Sequence, residues 1–212
     1  MSRTVERKGM ITLCHGTSAK HLKRIRKEGL RPRGVKSSEW ADCPSHPKRV
    51  YLTDAYAMYF AVNATKDGDD LLIVEVEVDE RRLYPDEYYL AQAEQLNGNK
   101  IKLMERTKEI RDILEYETRS ELDRLYKASL EFLGTVSHYR TIKPSQIRRV
   151  AIIPASEAGR LIITEFDPSI SIVNYRFCGE DHRRFQESLF SRFPEQKRTT
   201  SLPRKARSHD RR

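Results

Sequence analysis

Two short stretches hold residue types suited to binding a planar ligand that forms hydrogen bonds. The first is His15-Gly16-Thr17, which follows a short apolar run, and the second contains Tyr51 and Tyr59. An imidazole donates and accepts hydrogen bonds near neutral pH, and a phenol offers an apolar ring with a polar tip. The two stretches therefore predict a cleft that holds its ligand between an imidazole and one or two phenol rings.

Local patterns place both stretches between a strand and a helix. Met10 to Leu13 predicts a strand that breaks into a turn at His15, and the helix that follows is predicted to stop at Gly29. Val50 to Thr53 predicts a second strand, followed by a small helix that carries Tyr59.

The rest of the chain is predicted to be scaffold for these stretches. Alternation from Leu71 to Val78 predicts a strand with Glu75 and Glu77 on its solvent face. Residues 100–133 predict two helices that break near residues 117–120. Three further strands and a last helix are predicted at Thr135 to Thr141, Ile147 to Ile153, Leu161 to Thr164 and Asp181 to Phe193.

Composition is typical of one polar domain. The chain has 212 residues, of which 38% are hydrophobic and 33% charged, and no apolar run approaches the roughly 18 residues of a membrane span. The first residues are charged and lack a secretion signal, so we expect a cytoplasmic protein without a membrane partner. Three cysteines at unrelated spacings predict free thiols rather than disulfides or a zinc site.

Positive charge is concentrated at the end of the chain. Residues 195–212 contain seven Lys or Arg against Glu195 and Asp210, which leaves this tail with +5 of the total +9. We expect a domain over residues 1–194 and a disordered basic tail over residues 195–212. The tail is typical of a nucleic-acid tether, and equally of a solubilising terminus.

The order of these motifs resembles the ADP-ribosyltransferase superfamily. The resemblance rests on a strand with His15-Gly16-Thr17, a helix that ends in Glu28-Gly29-Leu30, a proline-rich loop, Val50-Tyr51-Leu52-Thr53, and a helix with Tyr59. The later stretch from Gly134 to Ile147 is similar to the strand, turn and strand that close this fold. The set is closest to the His-Tyr-Glu branch, which includes diphtheria-type toxins, poly(ADP-ribose) polymerases and DNA-modifying toxins.

The resemblance implies an α+β fold in which two small mixed or antiparallel sheets form an NAD cleft with flanking helices. It implies that His15 bonds the adenosine ribose, that Gly16 holds the nicotinamide amide through its backbone, and that Thr17 supports them. Tyr51 and Tyr59 would stack on the nicotinamide ring. NAD would be a co-substrate whose ADP-ribose is transferred with release of nicotinamide.

The third residue of the branch departs from this pattern. The branch carries a glutamate on the strand that corresponds to Thr135 to Arg140, and this stretch has no carboxylate. His138 on that strand can bond and take a proton at neutral pH. Glu131, at the end of the preceding helix, is the alternative.

Two other functions fit parts of the sequence. RNA 2′-phosphotransferases, which use NAD as phosphate acceptor, share the fold and a similar His-Gly-Thr, but their Arg-x-His-x-His pattern is not found around Tyr51. A non-catalytic basic nucleic-acid-binding module is the other alternative, since His15 alone is also typical of a turn and tyrosines of a core. The ordered set favours an NAD-dependent ADP-ribosyltransferase. The basic charge makes nucleic acid the favoured acceptor, and protein side chains the second choice.

Overall fold

A computed structural model of the chain describes residues 9–33, 46–100, 102–165 and 172–195. Residues 196–212, nearly all of the predicted basic tail, lie outside this range. The described chain is an α+β protein with an antiparallel sheet. Its strands are β1 (Met10–Ser18), β2 (Arg49–Thr53), β3 (Leu71–Asp79), β4 (Leu83–Pro85), β5 (Thr135–Tyr139) and β6 (Ile147–Ile153). Its helices are α1 (Leu22–Glu28), α2 (Ala57–Asn63), α3 (Glu87–Leu96), α4 (Leu103–Tyr116), α5 (Arg119–Leu133), α6 (Ala155–Thr164) and α7 (Ile172–Arg192).

The described strands form one sheet in the order β4-β5-β2-β1-β3-β6 rather than the two separate sheets that were predicted. The sheet nevertheless has two halves of three strands each. Strands β1 and β3 pair along their whole length, from Met10 with Asp79 to Ser18 with Leu71. Strands β1 and β2, which join the halves, pair only at Cys14 and Thr53. The halves are therefore joined at a single paired position, next to His15.

Helices cover both faces of the sheet. On one face, a core of fully buried side chains packs α2, α6 and α7 against β1, β3 and β6, and it includes Met58, Ile73 and Leu161. On the other face, Leu13, Leu52 and Val136 pack with side chains of α1 and α5. A smaller cluster joins α3, α4 and α5. The sheet is thus buried on both sides, which fixes the direction of every strand side chain.

Several predicted boundaries are confirmed. Helix α1 ends at Gly29, whose φ is 81°, and α5 ends at Gly134, whose φ is 65°. Both glycines adopt the left-handed backbone that is favourable for glycine after a helix. Helices α4 and α5 are separated at Glu117 and Thr118, and the Thr118 side chain caps α5 by accepting a hydrogen bond from the Glu121 amide.

Three local predictions are wrong. Strand β1 does not break at His15, because β3 pairs with it as far as Ser18. Residues 161–164 belong to helix α6 instead of a strand. Glu75 is buried rather than solvent-facing, since it is 8% exposed and accepts hydrogen bonds from Arg149 on the neighbouring strand.

Candidate functional site

His15 lies where the two halves of the sheet meet. Its Nδ1 is 2.9 Å from the carbonyl oxygen of Tyr51 on β2. A carbonyl only accepts, so Nδ1 carries the proton and Nε2 of the neutral ring is an acceptor. Among the described residues, no hydrogen bond reaches Nε2. The imidazole is thus oriented by main chain and leaves one acceptor for a ligand.

The environment of His15 keeps the ring neutral. Burial lowers the pKa of His15 from 6.5 to about 4, against the opposing effect of the hydrogen bond to Tyr51. The positive charge of Arg33 and the nearby His21 lower the pKa further. Because a charged ring would be poorly solvated in this buried site, His15 is a neutral hydrogen-bonding group at physiological pH.

Gly16 and Thr17 are packed inside the fold. A Cβ on Gly16 would lie 1.9 Å from the Ala57 carbonyl oxygen and 2.5 Å from the Ala61 nitrogen, so only glycine lets α2 approach β1 this closely. Thr17 is 3% exposed and pairs with Leu72 on β3. Both residues therefore hold β1 and α2 in the position that sets the direction of His15.

The strand register separates the His15 and Tyr51 side chains. Cys14 pairs with Thr53, so the side chain of Tyr51 is on the same face of the sheet as Cys14 and Gly16. The His15 side chain, one residue away on β1, is on the other face. The two residues meet through the Tyr51 main chain, whereas the phenol of Tyr51 extends toward α3.

The Tyr51 hydroxyl is fixed by two hydrogen bonds. It donates to Glu87 Oε1 at 2.5 Å and accepts from the His46 main-chain N–H at 3.1 Å. Burial raises the pKa of Tyr51 well above its usual value, and the nearby Glu87 and Asp86 raise it further. Tyr51 is thus a neutral phenol whose hydroxyl is held in one orientation.

Glu87 belongs to a buried charged cluster at the start of α3. Its carboxylate is 1% exposed and accepts a hydrogen bond from Arg111 Nε at 3.0 Å. Arg49 Nη1 lies 3.6 Å from Glu87 Oε2, and the Arg49 guanidinium stacks 4.2 Å from the centre of the Tyr84 ring. Glu87 Oε2 and the Nε and Nη1 atoms of Arg49 are buried without a hydrogen bond. A carboxylate is therefore present beside Tyr51, on a helix rather than on β5.

Glu87, Arg49 and Arg111 were not predicted from the sequence. An acidic residue in the first turn of a helix is ordinarily explained by the helix dipole, so Asp86-Glu87 carried no distinctive signal. Arg49 and Tyr51 are two residues apart on one strand and share a face, which was the one available sign of a joint role.

His46 borders the same cluster. Its Nδ1 accepts the Lys48 main-chain N–H at 3.1 Å, so its proton is on Nε2, which lies 3.6 Å from Glu115 Oε1. Burial and the positive charge of Arg49 lower the pKa of His46 to about 4. At neutral pH His46 is thus uncharged, and its contact with Glu115 is polar rather than ionic.

Tyr59 is half-buried on α2, on the same side of the sheet as the Tyr51 phenol. Its ring stands edge-on to Phe60, with 5.4 Å between ring centres. Burial raises the pKa of Tyr59, and Tyr88 on α3 adds to this rise. Both predicted stacking residues therefore lie toward α3.

The two predicted substitutes for the glutamate lie elsewhere. Ser137 pairs with Tyr51, so the next residue, His138, extends from the opposite face, where it is fully buried and its Nδ1 is 3.2 Å from the Arg140 carbonyl oxygen. Burial also lowers the pKa of His138. Glu131 is exposed on α5 and lines a separate cleft of about 750 Å³ that also includes Tyr175. The fold brings neither residue to the Tyr51 phenol.

Two properties of the described residues bear on the kind of site this is. They contain no cluster of three or more His, Cys, Asp or Glu that could hold a metal ion. In the same part of the chain, no helix combines the length and apolar character needed to cross a lipid bilayer.

Comparison with known proteins gives little further information. No family model and no curated protein matches the chain. Among solved structures, EcPltA is similar with 9% sequence identity and a TM-score of 0.40, over 69% of this chain and 77% of that one. A likeness of this size assigns neither a family nor an activity, so the functional argument depends on the residues themselves.

Proposed function

We propose that this protein is an NAD-dependent ADP-ribosyltransferase. The observation that carries the proposal is the neutral His15 ring, which donates through Nδ1 to the Tyr51 main chain and presents Nε2 as an acceptor beside the join of the two half-sheets. A sugar hydroxyl is a donor that suits this acceptor. The ordered motifs around His15, Tyr51 and Tyr59 point to NAD as the molecule that carries it.

The chemistry of the reaction suits these residue types. As the bond between nicotinamide and ribose breaks, positive charge develops on the ribose, and the nucleophile of the acceptor bonds to the same carbon and loses its proton. A neutral His15 binds the sugar without repelling this charge. The rings of Tyr51 and Tyr59 offer apolar faces for the nicotinamide and would hold it in a reactive orientation.

Nucleic acid is the favoured acceptor because of the charge on the first helix. Residues 20–33 hold seven Lys or Arg and one Glu. Lys23, Arg24 and Lys27 are exposed on α1, and none forms an ion pair within the described chain. This helix follows directly after β1 and His15, so phosphates bound to it would lie near the proposed NAD site. Protein side chains are the second choice of acceptor.

The test is release of nicotinamide and transfer of label from NAD to RNA, DNA or lysate protein. His15→Asn keeps a donor near the Nδ1 position but lacks the acceptor at Nε2, so we expect about a hundredfold loss of turnover. His15→Gln, which can place an acceptor near Nε2, should retain more activity. Unfolding midpoints of both variants show whether a loss reflects the site or the fold. Failure of the wild-type protein to consume NAD with every acceptor would contradict the proposal.

A further inference from the structure

The Tyr51 hydroxyl has a well-defined hydrogen-bond partner in the Glu87 carboxylate. The distance from the hydroxyl to Glu87 Oε1 is 2.5 Å, in the range of a short bond between a hydroxyl and a charged carboxylate. The second bond, from the His46 main chain, fixes the other side of the hydroxyl. Displacement of the ring would therefore break both bonds.

The carboxylate is itself held from two directions. Arg111 on α4 contacts Glu87 Oε1 through Nε at 3.0 Å and through Nη2 at 2.9 Å. Arg49 on β2 faces the second oxygen, at 3.6 Å. The cluster thus connects β2, α3 and α4 at a single carboxylate, and the Tyr51 hydroxyl is bound to it.

This arrangement is not what packing alone would favour. An ion cluster that is almost fully buried, with atoms of Arg49 and Glu87 that lack hydrogen bonds, is generally no more stable than apolar side chains of the same volume. What the cluster does provide is a fixed position for the group bonded to it, which here is the Tyr51 hydroxyl. Strand β5, the neighbour of β2, offers Ser137 and no carboxylate at the paired position.

We propose that Glu87, braced by Arg111 and Arg49, is a positioning residue that holds the Tyr51 ring in place for stacking on the nicotinamide of NAD. The inference rests on the proposed function and adds to it a residue on α3 that acts through the Tyr51 hydroxyl. Glu87 itself does not touch the substrate, since it is 1% exposed.

The test compares Glu87→Gln with Glu94→Gln. Glu94 is a matched control because it also lies on α3 and is paired with an arginine of α4, Arg106, at 2.6 Å. Both changes remove one ion pair between α3 and α4, whereas only Glu87→Gln also alters the contacts of the carboxylate with Tyr51 and Arg49. We expect Glu87→Gln to raise the dissociation constant for NAD about tenfold and Glu94→Gln to leave it unchanged.

A double-mutant cycle identifies the route of the effect. Tyr51→Phe keeps the ring and removes the hydroxyl, so it should weaken NAD binding about as much as Glu87→Gln. In the Tyr51→Phe background, Glu87→Gln should add nothing. Additive losses, or NAD affinity equal to the wild type in Glu87→Gln, would overturn the inference. If Glu87→Gln does not fold, Tyr51→Phe decides alone, and unchanged NAD affinity in that variant would overturn it.

A measurement without NAD separates this inference from the proposed function. The hydroxyl proton of Tyr51 should give a downfield resonance in the intact protein, which Tyr51→Phe removes, Glu87→Gln shifts upfield and Glu94→Gln preserves. If the wild-type protein binds no NAD, the proposed function fails, while these spectra still show whether Glu87 holds Tyr51. A Tyr51 resonance that is the same in Glu87→Gln would overturn the positioning role under either outcome.

Discussion

The charge state of His15 is a consequence of where its ring lies. The imidazole is half-buried, and its one polar contact is with an uncharged carbonyl group. Nothing in that contact supplies the negative charge that would favour protonation. A histidine of this kind binds by donating and accepting hydrogen bonds, and it loses its acceptor when it is protonated.

The lowered pKa of His15 predicts loss of stability in acid. The folded-state pKa is about 4 and the ordinary value is 6.5, so the unfolded chain binds more protons between these values. Stability is therefore full above about pH 6.5 and falls as the pH drops toward 4. His15→Asn should reduce the loss between about pH 7 and pH 5 by about 2 kcal/mol. Urea unfolding at the two pH values measures this, and an identical pH dependence in the variant would contradict a neutral, buried His15.

Gly16 should not tolerate a side chain. The methyl group of Gly16→Ala would overlap the main chain of α2, so we expect a loss of about 3 kcal/mol in the free energy of unfolding. Gly159→Ala is the matched control, because Gly159 is an exposed residue of α6 with open space around it. That change should stabilise the protein by about 0.5 kcal/mol. Equal effects of the two substitutions in chemical denaturation would show that α2 does not press on β1.

The residue types were enough to predict His15 as a site residue, but not to predict the groups that surround it. The sequence shows an imidazole before a glycine, yet the Tyr51 carbonyl that orients the ring is 36 positions away. Glu87 is also 36 positions from Tyr51, in a helix start where an acidic residue has an ordinary explanation. Contacts of this range depend on the strand register, which the local pattern does not specify.

At the scale of elements, Gln186 connects α7 to the start of α2. Its Oε1 accepts the Ala57 N–H at 2.8 Å, and its Nε2 donates to the Asp54 carbonyl oxygen at 2.9 Å. The two bonds satisfy main-chain groups that lie between β2 and α2, and the side chain is 5% exposed. Helix α7 thereby fixes the turn that follows Tyr51.

Loss of this connection should destabilise the fold. Gln186→Ala leaves a buried N–H and a carbonyl oxygen without partners, so we expect a loss of about 2 kcal/mol in the free energy of unfolding. Arg184→Ala, at a mostly exposed position on the same helix, should change it by less than about 0.5 kcal/mol. Thermal or urea unfolding compares the two, and a Gln186→Ala variant as stable as Arg184→Ala would show that α2 is capped in another way.

The elements that were predicted well have a clear hydrophobic periodicity or a residue that clearly ends the helix. Gly29 and Gly134 marked helix ends correctly because their left-handed backbone favours glycine. Residues 161–164 were assigned to a strand because an apolar run so short has no readable period, and the helix that contains them begins at Ala155. Strand β1 continued past His15 because β3 offered a partner along its whole length, which outweighs the local turn pattern.

At the level of the whole sheet, the main feature is its division into two halves of three strands. The two halves each have a well-paired centre and share a single paired position at Cys14 and Thr53. The α+β class could be predicted only through the resemblance that the ordered motifs carry. The joining of the halves into one sheet could not, since it depends on one pair of residues.

If nucleic acid is the acceptor, as proposed, the charge distribution predicts that it binds to α1. Replacing Lys23, Arg24 and Lys27 with Gln should weaken binding of single-stranded RNA or DNA about tenfold at low salt and reduce its salt dependence. The same replacement at Lys100, Lys108 and Lys127 is the control, because these exposed lysines belong to α4, α5 and the segment before α4, and their loss removes equal charge. Fluorescence anisotropy at several salt concentrations measures both. Equal losses in the two triple variants would assign the effect to net charge rather than to α1.

The proposal that His15 binds NAD through Nε2 is tested most directly by an NAD titration of the intact protein with ¹⁵N-labelled histidine, followed by NMR. In the free protein, the His15 signals should show a proton on Nδ1 and a bare Nε2 at neutral pH. On addition of NAD, the Nε2 signal of His15 should shift as it accepts a hydrogen bond from the sugar, and the shift should saturate. Histidine spectra that stay unchanged up to millimolar NAD would contradict the account.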